Sequence, residues 1–497
     1  MAFMLFLPFL AVYLALLAVY RLYWSPIAHI PGPRLAALTG WYETFFDVFQ
    51  GGKFTFQIER WHQKYGPIIR INPWEVHISD PDFYNQLYTT TAKYKKPEDW
   101  RFRFGLENST FDTIDHDHHH RRRGPLGTFF ARSKILEFSG YIQQQTDRMV
   151  NRLQDEYRGQ VVCLNEVWGA LTMDIITFYA FGLSYKFLDY PDFKAPFTTA
   201  IQNLARSLHV AGHFPSLLTA LKALPDSLVA ILSPTMKPVF QFHEEIAVQI
   251  RHVTSGQNDH HKTVAHKTVF HEILHSILDP AELAPDRLKH DGASIVGAGV
   301  DTTKTTLSVA CYHILANPDI HVRLRNELEA AMPNPAAPLP LTELECLPYL
   351  TAVIKESLRL GIGIAQRLRR INPSAPIQYG SYTIPPNTIF GMSSYLQLRD
   401  ARIFPEPDTF RPDRWLGEPV APNGRPLGQY LVPFGRGPRM CLGMNMAQAE
   451  IYLGLAAMFR RLDLELWETG REAVDMASEF FVPMPADGTK GVRVVVK

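Results

Sequence analysis

The chain has 497 residues, with 50 Lys+Arg against 49 Asp+Glu, 46% hydrophobic and 12% aromatic residues, a balance that excludes intrinsic disorder and collagen-like repetition. A net charge of +1 gives no general attraction to nucleic acid. Cysteines at 163, 311, 346 and 441 are too few and too scattered for a disulfide framework or a paired zinc knuckle, so a reducing compartment is expected.

From Ala2 to Tyr20 no residue is charged, and Phe3, Leu5, Phe6, Leu7, Phe9, Leu10, Leu14, Leu16 and Leu17 form an apolar run. At 1.5 Å rise per residue this stretch reaches about 28 Å, close to the ~30 Å hydrocarbon core of a bilayer. Residues 1–20 therefore read as a single-pass transmembrane anchor, weakened but not broken by Pro8, with Tyr20, Tyr23 and Trp24 at the interface. A cleaved signal peptide is the alternative, but no basic residue precedes the run. Arg21 and Arg34 follow it, which leaves the body on the cytoplasmic side. Residues 21–40, with Pro26, Pro31, Gly32 and Pro33, read as a stiff non-helical hinge.

In the body, short strands are expected at 67–71 and 76–79. Apolar residues at three- and four-residue spacing predict helices over 135–157, 167–181, 240–253, 293–316, 320–331 and 349–360. Strand and turn signals return at 377–390 and 492–496. With no internal repeat and no long linker, residues 41–497 read as one helix-rich α+β domain.

The segment Pro433-Phe434-Gly435-Arg436-Gly437-Pro438-Arg439-Met440-Cys441-Leu442-Gly443 is a glycine-rich loop with one thiol, just before a helix expected from Met444. A thiol facing a helix N-terminus meets free amides and a positive dipole end, which lowers its pKa and favours a thiolate metal ligand. Phe434 is placed to cover the sulfur, and Arg439 to reach an anionic group on the same ligand. Upstream, Gly297-Ala298-Gly299-Val300-Asp301-Thr302-Thr303 puts two glycines in one helical turn, at about 2 kcal/mol against alanine. Small side chains admit another body close to the backbone, and Thr302 is spaced to bond the Ala298 carbonyl and distort the helix. Glu356 and Arg359 share a helix face three residues apart.

The pattern Phe-x-x-Gly-x-Arg-x-Cys-x-Gly at 434–443 resembles the haem-binding loop of the cytochrome P-450 family of haem-thiolate monooxygenases. The resemblance implies that family's fold, mainly α with small β-sheets, and haem (heme b, iron protoporphyrin IX) with Cys441 as its axial thiolate. It further implies Phe434, Arg439 and Gly443 as cofactor contacts and Ala298 and Gly299 over the haem. Asp301 and Thr302 become the catalytic acid–alcohol pair that handles protons during O2 activation. The segment 404–415, Phe-Pro-Glu-Pro-Asp-Thr-Phe-Arg-Pro-Asp-Arg-Trp, resembles the family's stretch before the haem loop, so Arg414 joins Glu356 and Arg359 in a structural triad. In Asp115-His116-Asp117-His118-His119-His120-Arg121-Arg122-Arg123, His119 and Arg123 have the family's spacing on a helix near the haem. Metal binding by the histidines or phosphate binding by the arginines are the other readings of that run. Arg123, Arg370 and Arg439 are then candidates for the haem propionates.

The likeness runs from Ile30-Pro31-Gly32-Pro33 to Gly491-Val492-Arg493-Val494, and its texture around 41–43, 71–77 and 80–84 is similar to fungal secondary-metabolism members, among them trichodiene oxygenase-like enzymes. It implies insertion of one oxygen atom from O2 into an apolar small molecule, by hydroxylation or epoxidation of a terpenoid or polyketide-derived intermediate. A haem-thiolate isomerase or dehydratase is the alternative, against which the Asp301–Thr302 pair argues. No flavin or nicotinamide fingerprint is present, so electrons must come from a separate NADPH-dependent flavoprotein reductase, with Arg436, Arg132 and Lys134 as candidate docking residues. The expected location is the endoplasmic reticulum membrane, in contact with lipid and with no role in nucleic-acid binding. Cavity linings are expected at 102–111, 293–300, 361–365 and Phe480-Phe481. His271-Glu272-Ile273-Leu274-His275 matches a zinc-hydrolase pattern, but no third ligand follows it in a histidine-rich stretch that includes His260 and His261, and it is read as coincidental.

Overall fold

In the computed structural model, which describes residues 2–258, 262 and 264–497, the helical periodicities become a bundle flanked by four small sheets. Its axis is the helix Pro285–Ala316, in which Val296, Val300, Leu307, Ala310 and Ile314 are fully buried. Around it pack Leu164–Phe181, Lys237–Thr254, Pro348–Gly361 and Met444–Arg461. Helix 164–181 is apolar on nearly every face, as befits a helix enclosed on all sides. Its Trp168 lies against Gly454 of helix 444–461, where an added Cβ would sit 3.1 Å from the indole ring.

A second apolar core surrounds a four-stranded sheet in the order Ile68–Arg70, Glu75–Ile78, Ile389–Gly391 and Arg370–Ile371. Strands 75–78 and 389–391 run parallel, with Val76 opposite Phe390. The long connection between them holds most of the helical bundle, helix 444–461 following later, so this sheet ties the start of the body to the segment just after the bundle's first helices. A three-stranded sheet joins Val161–Cys163, Arg493–Val496 and Leu464–Leu466. Ser478–Phe480 with Val482–Met484, and Ile377–Tyr379 with Tyr382–Ile384, form two hairpins.

The architecture is the expected one, mainly α with small sheets, but three boundaries differ. Helix 285–316 begins eight residues before the expected 293, with Pro285 in its first turn where a missing N–H costs nothing. That added stretch buries the ion pair Arg287–Asp291 (2.7 Å) rather than an apolar stripe, so hydrophobic periodicity misses it. Helix Pro196–His213 also has no counterpart among the expected helices, and its buried face includes the polar Thr198 and His209. The hinge is neither free nor wholly non-helical: Arg34–Leu38 is a helix, Ile27 and Ile30 are buried, and Arg70 N donates to Pro31 O at 2.7 Å.

The apolar run forms the helix Ala2–Val19, straight through Pro8, and continues as a π-helical turn Tyr20–Trp24. The stretch Leu7–Trp24 has a mean hydropathy of 1.6 and no buried residue, a span long and apolar enough to cross a membrane. Its base is fastened to the body, where Arg21 Nη1 donates to Leu38 O and Arg70 Nη1 donates to Arg21 O.

Candidate functional site

The loop bearing Cys441 is shaped by its own backbone. Cys441 N donates to Phe434 O at 2.8 Å, closing the loop, and Gly443 caps the following helix. Gly437 has φ +75°, and a Cβ there would lie 2.7 Å from Tyr88 O, so the loop packs against residues 88–89 only with glycine at that position. Phe434 packs half-buried against the main core. Cys441 is exposed to an opening on one side, although protein crowds its other sides. Burial pushes its thiol up, and the Gly443 N–H and Arg123 pull the other way without overcoming it. The expected fall in thiol pKa is therefore not found; one helix terminus does not outweigh that desolvation.

Arg439 does not point at a carboxylate. It donates to the carbonyls of Thr113, Ile114 and Asp115 at 2.6, 2.9 and 3.1 Å. Burial, with Arg370 and Arg123 nearby, pushes it down to about 9. Burial also lowers Arg370 and Arg123. Among the described residues Arg370 donates only to a neighbouring carbonyl, Arg369 O at 2.9 Å, whereas Arg369 pairs with Glu75 and Asp99. Lys96, which the sequence did not single out, completes the group. It is 3% exposed, donates to Phe111 O and lies 4.0 Å over the Phe111 ring. Burial first, and then Arg439, hold its ammonium far below its usual range. His119 is buried beside these cations, and its Nδ1 has no partner among the described residues.

Lys96, Arg123, Arg370 and Arg439 thus converge with no carboxylate within 4.0 Å of any of them among the described residues. Clustered cations repel one another, and the more distant Asp112 and Asp115 do not offset burial and that repulsion at Lys96 and Arg439. An anionic ligand bearing more than one carboxylate restores the balance. Haem propionates meet that requirement beside a cysteine that opens to free space, so the residues present fit the group.

Helix 285–316 supplies another wall. Deep in the bundle, Ala298 is exposed and Gly297 has nothing within 4 Å of an added Cβ, so this turn borders open space. Gly299 faces inward, where an added Cβ would be 3.0 Å from Ile176. Thr302 Oγ1 donates to Ala298 O at 2.9 Å, the bond its spacing predicts, and the helix continues as one α-helix through this turn. Asp301 is ion-paired with buried Lys304 one turn on, a partner that the sequence reading overlooked.

Glu356 is wholly buried and receives Arg359 Nε (2.9 Å) and Nη2 (2.7 Å), Arg414 Nε (3.1 Å), Trp415 Nε1 (2.8 Å) and Arg411 N (2.9 Å). Trp415 and the Arg411 amide extend the expected triad. The histidine run forms helix His116–Phe129, from which His118 and Arg122 grip Glu282 at 2.7 Å while His119 turns inward. These two residues are engaged with protein rather than with phosphate.

The helix of the His271–His275 motif is only Val269–Ile273, and His275 follows in the next turn with its ring centroid 5.2 Å from that of His271, while Glu272 is engaged by Lys267 at 2.8 Å. His260 and His261 lie outside the described residues. Among the proposed docking residues, Arg132 is paired with Glu345, Lys134 with Glu137, and Arg436 donates to Gln429 O.

Residues 38–489 match a family model described as Cytochrome P450. Cytochrome P450 monooxygenase orf6 of Eupenicillium brefeldianum is 55% identical over 493 residues, covering 98% of each chain. Tryptophan 6-hydroxylase fscE of Fusarium equiseti and N-acetyltryptophan 6-hydroxylase ivoC of Emericella nidulans are each 39% identical, covering 97% of this chain and 94% of their own.

Proposed function

The chain belongs to the cytochrome P450 family of haem-thiolate oxidoreductases, which use O2 and a separate reductase, and from that premise we propose that it is a membrane-anchored monooxygenase of fungal secondary metabolism acting on an apolar small molecule. The observation that carries the site assignment is the convergence on the neighbourhood of Cys441 of four cations, Lys96 and Arg370 buried and Arg123 and Arg439 half-buried, none of them ion-paired among the described residues. Cys441 holds the haem iron as a thiolate, and the Gly443 N–H supports that charge. Arg123, Arg370, Arg439 and Lys96 would neutralise the propionates, with Phe434 against the loop and Gly297 and Ala298 lining the opposite wall; Gly299, expected there too, instead faces the core at Ile176. When bound, haem supplies reductive activation of O2 and transfer of one oxygen atom to a C–H or C=C bond.

The chain's own part is positioning and proton handling. Thr302 Oγ1 can turn its proton from Ala298 O into the open space beside it. Asp301 accepts a proton from solvent when its pair with Lys304 opens, so Lys304 restrains the relay. Thr302→Ala is expected to uncouple the enzyme: NADPH consumption continues while product per NADPH falls about tenfold or more. Unchanged yield would remove Thr302 from this role. Arg370→Leu is expected to weaken haem binding about 10- to 100-fold, the loss of one or more charge-assisted hydrogen bonds. The haem-free protein should melt no lower, because a repelling cation is gone. Haem titration and thermal melting measure the two effects separately.

Trp100, Phe104, Phe111 and Phe481 form an aromatic cluster with ring centroids 5.0–6.2 Å apart, which suits an apolar terpenoid or polyketide-derived substrate. The names of the two tryptophan-type relatives favour a second reading, hydroxylation of an aromatic ring. Helix 2–19 anchors the protein in endoplasmic reticulum lipid with the body in the cytoplasm. The decisive experiment is the absorption spectrum of the reduced, CO-bound full-length protein, followed by reductase-dependent turnover of terpenoid, polyketide and indole panels. A haem-free preparation after hemin supplementation, or turnover without O2 uptake as an isomerase gives, would overturn the assignment.

A further inference from the structure

Asp47, His209 and His213 meet far from Cys441 in sequence. Asp47 lies in the π-helical turn Phe45–Phe49, and the two histidines are one turn apart on helix 196–213. His213 Nε2 is 3.2 Å from Asp47 Oδ2, and His209 Nδ1 is 3.5 Å from the same oxygen. Asp47 and His209 are each 2% exposed. Asp47 Oδ1 is buried with no hydrogen-bond partner among the described residues.

The outer ring nitrogens constrain what the inner ones carry. His209 Nε2 lies 2.5 Å from Glu479 O, a carbonyl that can only accept, so Nε2 bears the hydrogen and Nδ1 of the neutral ring a lone pair. Thr44 Oγ1 lies 3.2 Å from Gly40 O and 3.0 Å from His213 Nδ1. When its proton goes to Gly40 O, His213 Nδ1 donates to it and His213 Nε2 presents a lone pair to Asp47 Oδ2; in the other tautomer Nε2 donates to that oxygen. The first arrangement gathers three electron-rich atoms away from water, a set that a positive charge between them would hold.

Besides the two histidines, Arg367 is the cation that acts on Asp47, and it is shared with other carboxylates. Glu43 and Glu479 are also buried beside this group, and the nearest guanidinium, Arg367, is engaged by Glu43 and Glu75. Arg369 is shared between Glu75 and Asp99.

We propose that Asp47, His209 and His213 bind a divalent transition-metal ion of the zinc class. Ligands at about 2.0–2.1 Å from a tetrahedral ion stand roughly 3.3 Å apart. The observed 3.2 and 3.5 Å match that edge length, and all three ligand atoms lie within 4.8 Å of one another. Metal-bound histidines typically donate their remote N–H to a carbonyl, carboxylate or hydroxyl, the arrangement found at Glu479 O and Thr44 Oγ1. Two imidazoles and one carboxylate leave the fourth position to water. The ion pins the turn 45–49 to helix 196–213 and, through Glu479, to the hairpin that carries Phe481 of the aromatic cluster.

The test uses full-length, haem-loaded protein purified without a histidine tag, incubated with zinc, desalted and analysed for metals. About one zinc per chain beyond the haem iron is expected, bound in the zinc K-edge spectrum by two imidazoles and oxygen donors. Asp47→Asn and His209→Gln are expected to lose the zinc and keep the haem spectrum, while His271→Ala keeps both. Absence of retained zinc in the wild type overturns the proposal and leaves protonated imidazoles as the source of charge. A coordination shell without two imidazoles, or zinc lost in His271→Ala, overturns it too. If both site variants fail to fold, the wild-type spectrum and the His271→Ala result still decide.

Discussion

Replacing Cys441 with serine is expected to abolish oxygen insertion, by about a thousandfold or more, and to remove the thiolate signature from the spectrum of the reduced, CO-bound protein. A serine hydroxyl stays neutral where a thiol gives up its proton to a metal, so it cannot donate an anionic lone pair to the iron. Nothing else at the site replaces it, since Cys163, Cys311 and Cys346 lie elsewhere in the chain and Cys311 is sealed in the core. The fold should survive, because Cys441 N still closes the loop on Phe434 O and that bond uses backbone atoms only. An unaltered spectrum in a folded Cys441→Ser protein would falsify the site assignment as a whole.

Glu356→Ala is expected to cost about 3–5 kcal/mol and to yield protein without bound haem, because it leaves buried charges uncompensated. Arg359 and Arg414 would lose their one acidic partner among the described residues, and Trp415 Nε1 and Arg411 N would lose their acceptor. Arg359 is itself fully buried and also donates to carbonyls of Leu398, Pro407 and Thr409, so the damage spreads into the segment leading to the cysteine loop. Urea unfolding and haem-to-protein ratio measure the two effects. Glu356→Gln should fall between, since an amide oxygen still accepts but carries no charge. Burial pushes the Glu356 carboxyl up, but the hydrogen bonds and charge of Arg359, then Arg414, hold it below its usual 4.5. Its contribution to stability is therefore present above about pH 4.5 and is lost as pH falls through the lower folded-state value.

The parts of this site that lie within one turn or one loop were legible before any coordinates. Cys441, Gly437 and Gly443 sit within seven residues; Glu356 and Arg359 are one helical turn apart; and Thr302 and Ala298 have the spacing of the bond they make. The Lys304–Asp301 pair had equally plain spacing, but only its burial gives it weight. Lys96 was out of reach, because nothing in its neighbouring residues distinguishes it from a surface lysine until Phe111, Trp100 and Arg439 are folded around it. The zinc-like motif at 271–275 differs again: its spacing does bring the two imidazole centroids within 5.2 Å, but its Glu272 is held by Lys267.

The amino-acid order alone determined the apolar N-terminal helix, the glycine-rich cysteine loop and the placing of Thr302 under the Ala298 carbonyl, because each depends on local backbone geometry or on apolar length. Only the tertiary structure decided that Lys96, Arg123, Arg370 and Arg439 share one unbalanced site, and that Asp47 meets His209 and His213. Coulomb forces and hydrogen bonds act through distance in space. Spacing along the chain constrains that distance only within a turn or a helix, so charges drawn from four separate segments become neighbours, and acquire chemistry, only when the sheet at 68–391 and the central helix bring those segments together.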